Sequence, residues 1–257
     1  MGVINITPDS FYDGGSCLEP AVAVRRAWRL VEEGADLIDL GGESSRPGAQ
    51  PVSEAEELDR VLPVVRELAP RLPVPISIDT AKAGVARAAL AEGAEMVNDI
   101  GGLRDEAMLR AVADAGAAAV VMHMRGSPRD MQERPPAADI MAEIKSFFKK
   151  VLQLPLPPHT MILDPGVGFG KTVQQNLVIL NRLAEFCAFG RPLLVGASRK
   201  SFIGAITGLP AADRLPGSLA AAVLAAAHGA RIIRCHDVAA TRQALRVAAA
   251  IRSEAAV

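Results

Sequence analysis

Gly34-Ala35-Asp36-Leu37-Ile38-Asp39-Leu40 follows a helical stretch and reads as a capping glycine, then a short apolar run with a carboxylate near its end. Glycine closes a helix well because it takes the left-handed cap conformation without a side-chain penalty. The same Gly-Ala opening recurs at Gly93-Ala94, Gly116-Ala117 and Gly229-Ala230. Five residues after three of the four glycines stands a polar residue among apolar ones: Asp39, Asn98 and Arg234. In the fourth unit that offset holds Val121, with His123 two residues on. Units repeated in one register predict strands aligned side by side, with helices returning outside them.

Working outward, eight apolar runs are expected as strands, at 2–6, 36–40, 75–79, 95–99, 118–123, 160–164, 192–195 and 231–235. Helical patterns alternate with them. The first shows Val24, Ala27, Trp28 and Val31 on one face. The second opens with a capping box, Ser53 and Glu56, and carries Leu58, Val61, Leu62 and Val65. A third starts after Thr80 as its cap, and later ones are expected near 105–115, 138–152, 176–188, 215–228 and 239–254. Eight βα units in 257 residues predict an α/β chain folded as one domain, 1–257, a (β/α)8 TIM barrel. A doubly wound open sheet is the alternative, because periodicity does not show closure. Two loops, 7–16 and 41–52, are long, polar and rich in Gly and Pro, as functional lids often are. The run Leu154-Pro155-Leu156-Pro157-Pro158 reads as a stiff connector into strand six.

Composition excludes several classes. The net charge of −1 offers no bulk attraction for nucleic acid. Cys17, Cys187 and Cys235 are odd in number and far apart, so neither a disulfide framework nor a cysteine zinc site is expected, and a reducing compartment fits. No apolar run approaches membrane-span length and no signal-peptide pattern opens the chain, so a cytoplasmic protein is expected.

The sixth unit, Met161-Ile162-Leu163-Asp164-Pro165-Gly166-Val167-Gly168-Phe169-Gly170-Lys171, delivers a carboxylate at a strand end beside a glycine loop. It is no P-loop, because Pro165 stands where the first glycine must be, and G-x-G-x-G is not the dinucleotide fingerprint. In barrels of this kind the C-terminal strand ends build the active site. Those ends offer Asn5, Asp39, Asp79, Asn98, His123, Asp164, Arg234 and His236, with Lys200 after strand seven. Each has a plain structural reading: aspartates cap helices, and His123, among methionines, reads as a core histidine. Arg104, Arg110, Arg129 and Arg134 read as solvated surface. Polar groups at nearly every strand end nonetheless need partners, since each left buried and unpaired costs about 1–3 kcal/mol. Asp79, Asn98 and Asp164 form an acceptor-rich set suited to a flat heterocycle with several N–H groups. Arg234, His236 and Asn5, from neighbouring strands eight and one, suit an anion such as phosphate.

Eight motifs in order resemble the dihydropteroate synthase family over nearly the whole chain. They are Gly2-Val3-Ile4-Asn5-Ile6-Thr7-Pro8-Asp9-Ser10-Phe11, Gly41-Gly42-Glu43-Ser44-Ser45-Arg46-Pro47-Gly48-Ala49, Ile78-Asp79-Thr80, Val97-Asn98-Asp99-Ile100, Met122-His123-Met124, Asp164 to Lys171, Ser198-Arg199-Lys200-Ser201 and Arg234-Cys235-His236-Asp237-Val238. The resemblance implies joining of 6-hydroxymethyl-7,8-dihydropterin diphosphate to 4-aminobenzoate, giving 7,8-dihydropteroate and diphosphate in folate biosynthesis, and an enzyme that sulfonamides target. It implies a pterin site of Asp79, Asn98, Ile100, Met122, Asp164, Gly196, Lys200 and Arg234. Ser45, Arg46, Pro47, Phe169 and Lys200 would meet 4-aminobenzoate, and Asn5, Arg46, Arg234 and His236 the diphosphate. Asn5 would help hold Mg²⁺ through diphosphate oxygens, and Asp13 would close over the site with its loop. Asn5, Asp79, Lys200, Arg234 and His236 would be the catalytic set. A homodimer through the Ala-rich last helices is also implied. The family carries a segment before strand one that covers the barrel floor, so the numbering here is expected to begin inside a longer chain. Competing readings are a methyltetrahydrofolate methyltransferase, a silent pterin-binding barrel and a Schiff-base aldolase through Lys200. The anion set and the Ser44-Ser45-Arg46-Pro47-Gly48-Ala49 loop disfavour the first, and the intact strand-end set the second. Lys200 lies past its strand, which disfavours the third.

Overall fold

The computed structural model of the protein describes residues 1–7, 20–44, 49–131, 133 and 135–254. Among them all eight expected strands form, each shorter than its apolar run: β1 (Gly2–Asn5), β2 (Ile38–Gly41), β3 (Ile76–Asp79), β4 (Met96–Asp99), β5 (Ala118–Met122), β6 (Met161–Asp164), β7 (Leu194–Val195) and β8 (Ile232–Ile233). β1 to β6 pair in sequence order and β7 pairs β8, all parallel. Two bridges, Leu163 to Leu193 and Gly2 to Cys235, join the pair to both ends of the six. The ring is therefore closed and no strand is left as an edge, which decides between the barrel and the open sheet.

Helices α1 (Pro20–Glu32), α2 (Glu54–Leu68), α3 (Ala83–Ala91), α4 (Glu106–Ala115), α5 (Ile140–Val151), α6 (Val173–Asn181), α7 (Ser201–Thr207), α8 (Leu215–Ala227) and α9 (Val238–Ser253) follow the strands one by one, except that both α7 and α8 follow β7. One large apolar cluster lies between the strands' outer faces and the helices, including Ile38, Leu40, Ile78, Val65, Leu68, Phe148 and Phe186. A second, Met1, Met96, Val120, Ile162 and Leu194, is built from the residues that alternate with these and fills the floor half of the barrel. The mouth half is left to polar side chains.

Three helical expectations are corrected. The stretch expected as one helix at 176–188 is α6, opened by a full Thr172/Gln175 capping box, followed by a 3₁₀ turn at Leu183–Phe189. Leu183 and Phe186, three apart and fully buried, fall on one side of a three-residue period. α3 starts at Ala83, and the Thr80 hydroxyl accepts the Lys82 N–H instead of capping the helix. The Ser53 hydroxyl accepts the Glu56 N–H at 3.1 Å, but the Glu56 carboxylate turns to Arg60, so only half a capping box forms. α7 was not among the expected helices. It is one short segment entered directly from Lys200. The connector after α5 leaves that helix regular, capped by the Asp139 carboxylate.

Candidate active site

The glycine loop after β6 shows why its sequence is what it is. Gly166, Gly168 and Gly170 all have positive φ. At Gly166 a Cβ would collide with the His123 carbonyl oxygen, and at Gly170 it would lie 2.7 Å from that of Arg125. The loop thus packs on the chain beyond β5 more closely than any side chain permits. Lys171 fastens it, donating from Nζ to the carbonyls of His123 at 3.0 Å and Phe169 at 2.9 Å. Burial lowers this ammonium to about 7.

At the mouth, Arg234 binds two carboxylates, Nε to Asp39 Oδ2 and Nη2 to Asp79 Oδ2, both at 2.6 Å. Asn98 Nδ2 donates to the same Asp39 oxygen at 3.1 Å. Burial opposes the guanidinium's charge, but Asp39 and Asp79 outweigh it and hold Arg234 above its ordinary value. Burial pushes the Asp79 carboxyl up to about 7 against the pull of Arg234, and the negative charges of Asp39, Glu57 and Asp99 add to the push. Asp164, also raised by burial, is held partly back by Lys200 and by the Gly166 N–H, which donates to Oδ1 at 2.7 Å. Lys200 Nζ donates to the Val167 carbonyl and stands 4.5 Å from the centre of the Phe169 ring. Burial lowers its ammonium to about 8, while Asp164 pulls the other way.

The other expected positions are placed as follows. Asn5 ends β1 half-buried, in register with Gly41. His236 Nδ1 lies 3.0 Å from Ser198 Oγ, which also accepts the His236 backbone N–H at 3.3 Å. With the hydroxyl hydrogen on Nδ1, the ring carries its own hydrogen on Nε2 and is a donor there. Ile100 and Phe169 pack on Met122, Met124 and Met131, an apolar wall beside Lys200. Gly196 lies beside Arg234, with room for ordinary contact only. His123 is buried edge-on to Phe147, its Nε2 3.3 Å from Glu143, and burial keeps it neutral. Arg104 is exposed, as expected, and also donates to the Met124 carbonyl and lies over Phe147. Asp13, Ser45, Arg46 and Pro47 lie outside the described residues, as does Arg134.

Three residues given no ligand contact in the sequence analysis stand at or behind the site, Asp39, Lys171 and Glu57. Asp39 had its signal in the repeat, at the offset of Asn98. In the register, however, Asp39 pairs with Ser77, while Asn98 pairs with Asp79, two residues further along β3. The stagger sinks Asp39 one rung deeper, where it is fully buried. Lys171 carried no signal beyond its place in the family motif. Glu57, on the apolar face of α2, is fully buried, and Lys82 Nζ joins it to Glu43, at 2.6 Å to each. Glu43 also accepts the Val52 N–H at 3.2 Å, which ties the far end of the second loop to α2 and α3. A groove of 570 Å³ lies at the opposite, floor end, between α8, α9 and Met1, and shares none of these groups.

Among the described residues no three His, Cys, Asp or Glu side chains come together to hold a metal. A side-chain amide such as that of Asn5, at the end of β1, is a hard oxygen donor of the kind a phosphate-borne cation accepts.

A ligand that donates N–H groups to Asp79 needs the carboxylate. Affinity for such a heterocycle is therefore expected to climb as pH rises through about 7, by about tenfold per pH unit below it, and to level off above. The same group acts oppositely on the unliganded fold. Its folded value lies above the unfolded 3.8, so its stabilising contribution is complete at acid pH and is lost as pH rises through about 7. Calorimetric titrations across this range check the first expectation, and Asp79→Asn should flatten the profile.

A closed βα barrel with three acceptors and a clamped guanidinium at its mouth suits an enzyme that takes up a flat, N–H-rich heterocycle. The profile of the family described as "Pterin binding enzyme" matches residues 1–236. The dihydropteroate synthase of Escherichia coli K12 is 47% identical, over 98% of this chain and 91% of that protein. The Yersinia pestis dihydropteroate synthase, solved with a sulfonamide drug complex, is 44% identical with a TM-score of 0.92, covering 98% of this chain and 93% of that one. The Xanthomonas albilineans dihydropteroate synthase, solved with 4-aminobenzoic acid, is 44% identical with a TM-score of 0.91, over 98% and 92%. It has also been solved with 7,8-dihydropteroate. The chain belongs to the pterin-binding enzyme family, among the dihydropteroate synthases, which are transferases. No helix among the described residues is long and apolar enough to cross a membrane.

Proposed function

We propose that the chain joins 6-hydroxymethyl-7,8-dihydropterin diphosphate to 4-aminobenzoate. The methylene C–O bond breaks, a C–N bond forms to the amine, diphosphate leaves and the amine proton passes to solvent. The observation that carries the reading is the mouth itself: Asp79, Asn98 and Asp164 as acceptors, with Arg234 clamped on Asp79 and His236 beside Ser198. Asp164 and Asn98 take the N–H edge of the pterin, and Ile100, Met122 and Gly196 lie along the same cavity. Arg234 offers its flat face to the ring. Phe169 and Lys200 form the wall for 4-aminobenzoate, with Ser45, Arg46 and Pro47 of the second loop. Asn5, Arg46, Arg234 and His236 receive the diphosphate, and the family motif assigns Asp13 to the same substrate. Asn5 would help hold Mg²⁺ through the diphosphate oxygens, and the ion would offset the diphosphate's charge.

The pterin side of the site offers two largely buried carboxylates, Asp79 and Asp164, and the diphosphate side a guanidinium and an imidazole. Such an arrangement favours positive charge on the pterin, while the cationic corner favours negative charge on the departing diphosphate. The C–O bond therefore breaks largely before the amine attacks, giving a resonance-stabilised pterin methyl cation. The reduced ring feeds electrons to that carbon better than the oxidised ring. An oxidised pterin diphosphate is thus expected to bind but to react at least about tenfold more slowly in single turnover, since about 1.4 kcal/mol of lost stabilisation suffices. Equal rates at saturation would point to direct displacement instead. The activity as a whole is tested by diphosphate release, which should need both substrates together. Release without 4-aminobenzoate at the same rate would refute the transfer.

The enzyme acts as a homodimer through its last helices, a reading supported by Leu224 on α8 and Val247 and Ile251 on α9, large apolar side chains left exposed in one chain. Its place is the cytoplasm, which suits Cys187 and Cys235, both free thiols.

A further inference from the structure

We infer that Asp39, which reaches no ligand itself, is the positioning residue that orients both Arg234 and Asn98 for the flat heterocycle. The inference rests on the pterin reading of the mouth. Asp39 is fully buried one rung below Asp79 and Asn98. Its Oδ2 accepts from Arg234 Nε at 2.6 Å and from Asn98 Nδ2 at 3.1 Å.

Each contact sets a direction. A guanidinium is planar, so two fixed donors define its plane. Nε on Asp39 and Nη2 on Asp79 lock Arg234 as a rigid platform at the cavity's side. A carboxylate only accepts, so the Asn98 amide must turn its nitrogen to Asp39, which leaves its oxygen as the acceptor. Without Asp39 the amide could present either end, and half of the Arg234 clamp would be gone. The other oxygen of Asp39, Oδ1, is buried and has no hydrogen-bond partner among the described residues. Such an orphan is costly, and it marks a carboxylate kept for what it orients, in a place where an apolar side chain would pack at no such cost.

The test is Asp39→Asn, close in shape but uncharged and able to donate. Binding of two probes is measured by calorimetry: 6-hydroxymethylpterin, which lacks phosphate, and inorganic diphosphate with Mg²⁺. Pterin affinity is expected to fall by about tenfold, the scale of one charge-assisted hydrogen bond. Diphosphate affinity should hold or rise, because Arg234 is less neutralised. Pterin affinity within twofold of the parent, or both probes weakened by the same factor, would overturn the inference, since a purely structural role lowers both. A parent protein that fails to bind 6-hydroxymethylpterin at all would instead overturn the pterin reading. Should the variant unfold, a crystal structure of the parent with pterin decides. Arg234 still on Asp39, with the Asn98 oxygen on the ligand, supports the inference, and Arg234 swung away from Asp39 overturns it.

Discussion

Replacing Arg234 by lysine is expected to lower turnover by about 10²–10³-fold, the scale of one lost charge-stabilising group, while leaving the barrel folded. The positive charge remains, so Asp39 and Asp79 are not stranded, which would cost about 3–5 kcal/mol. What disappears is the geometry. Arg234 meets two carboxylates at 2.6 Å each and still presents a flat face. A lysine ammonium is a point charge on a flexible stem, without the rigid fork or the plane. Both the stacking surface for the pterin and the fixed direction toward the diphosphate are lost. Steady-state rates with both substrates, beside a thermal melt, make the measurement. Turnover within threefold of the parent would show that charge alone suffices at this position.

Asp164→Asn is expected to weaken pterin binding by about 1.5–3 kcal/mol, the worth of a hydrogen bond to a charged group. The reason lies in the loop as much as in the ligand. Asp164 Oδ1 accepts the Gly166 N–H at 2.7 Å in a buried place. In the variant only the amide oxygen can keep that bond, so the amide nitrogen is turned toward the pterin edge. Donor then faces donor. Rotating the amide to favour the ligand would orphan the Gly166 N–H at similar cost. Calorimetry with 6-hydroxymethylpterin decides, and binding near that of the parent would remove Asp164 as the anchor.

Much of this was legible in the residues. Local chemistry announces itself at short range. The Gly-Ala units at Gly34, Gly93, Gly116 and Gly229 marked helix ends and the strands after them, and all eight strands followed. The three glycines after Asp164 marked a loop whose backbone must turn and approach closely, and all three have positive φ. Asn5, Asp79, Asn98, Asp164 and Arg234 stood out because a polar residue that interrupts an apolar run needs a partner. Elements were misjudged where a packing demand overrode a local signal. Leu183 and Phe186 draw their stretch into a 3₁₀ turn, and Arg60 takes the Glu56 carboxylate from the capping box.

The sequence by itself determined the order of elements, the number of βα units and the residue types at the strand ends, because each is set by neighbours within a few positions. Only the tertiary structure decided closure, depth and pairing. Two bridges, from Leu163 to Leu193 and from Gly2 to Cys235, turn a possible open sheet into a ring. The stagger between β2 and β3 sinks Asp39 below its neighbours. Arg234 reaches Asp39 and Asp79 across separations of 195 and 155 residues. Ring closure and the depth of each side chain are properties of strands far apart in the chain, settled by how side chains fill the barrel together.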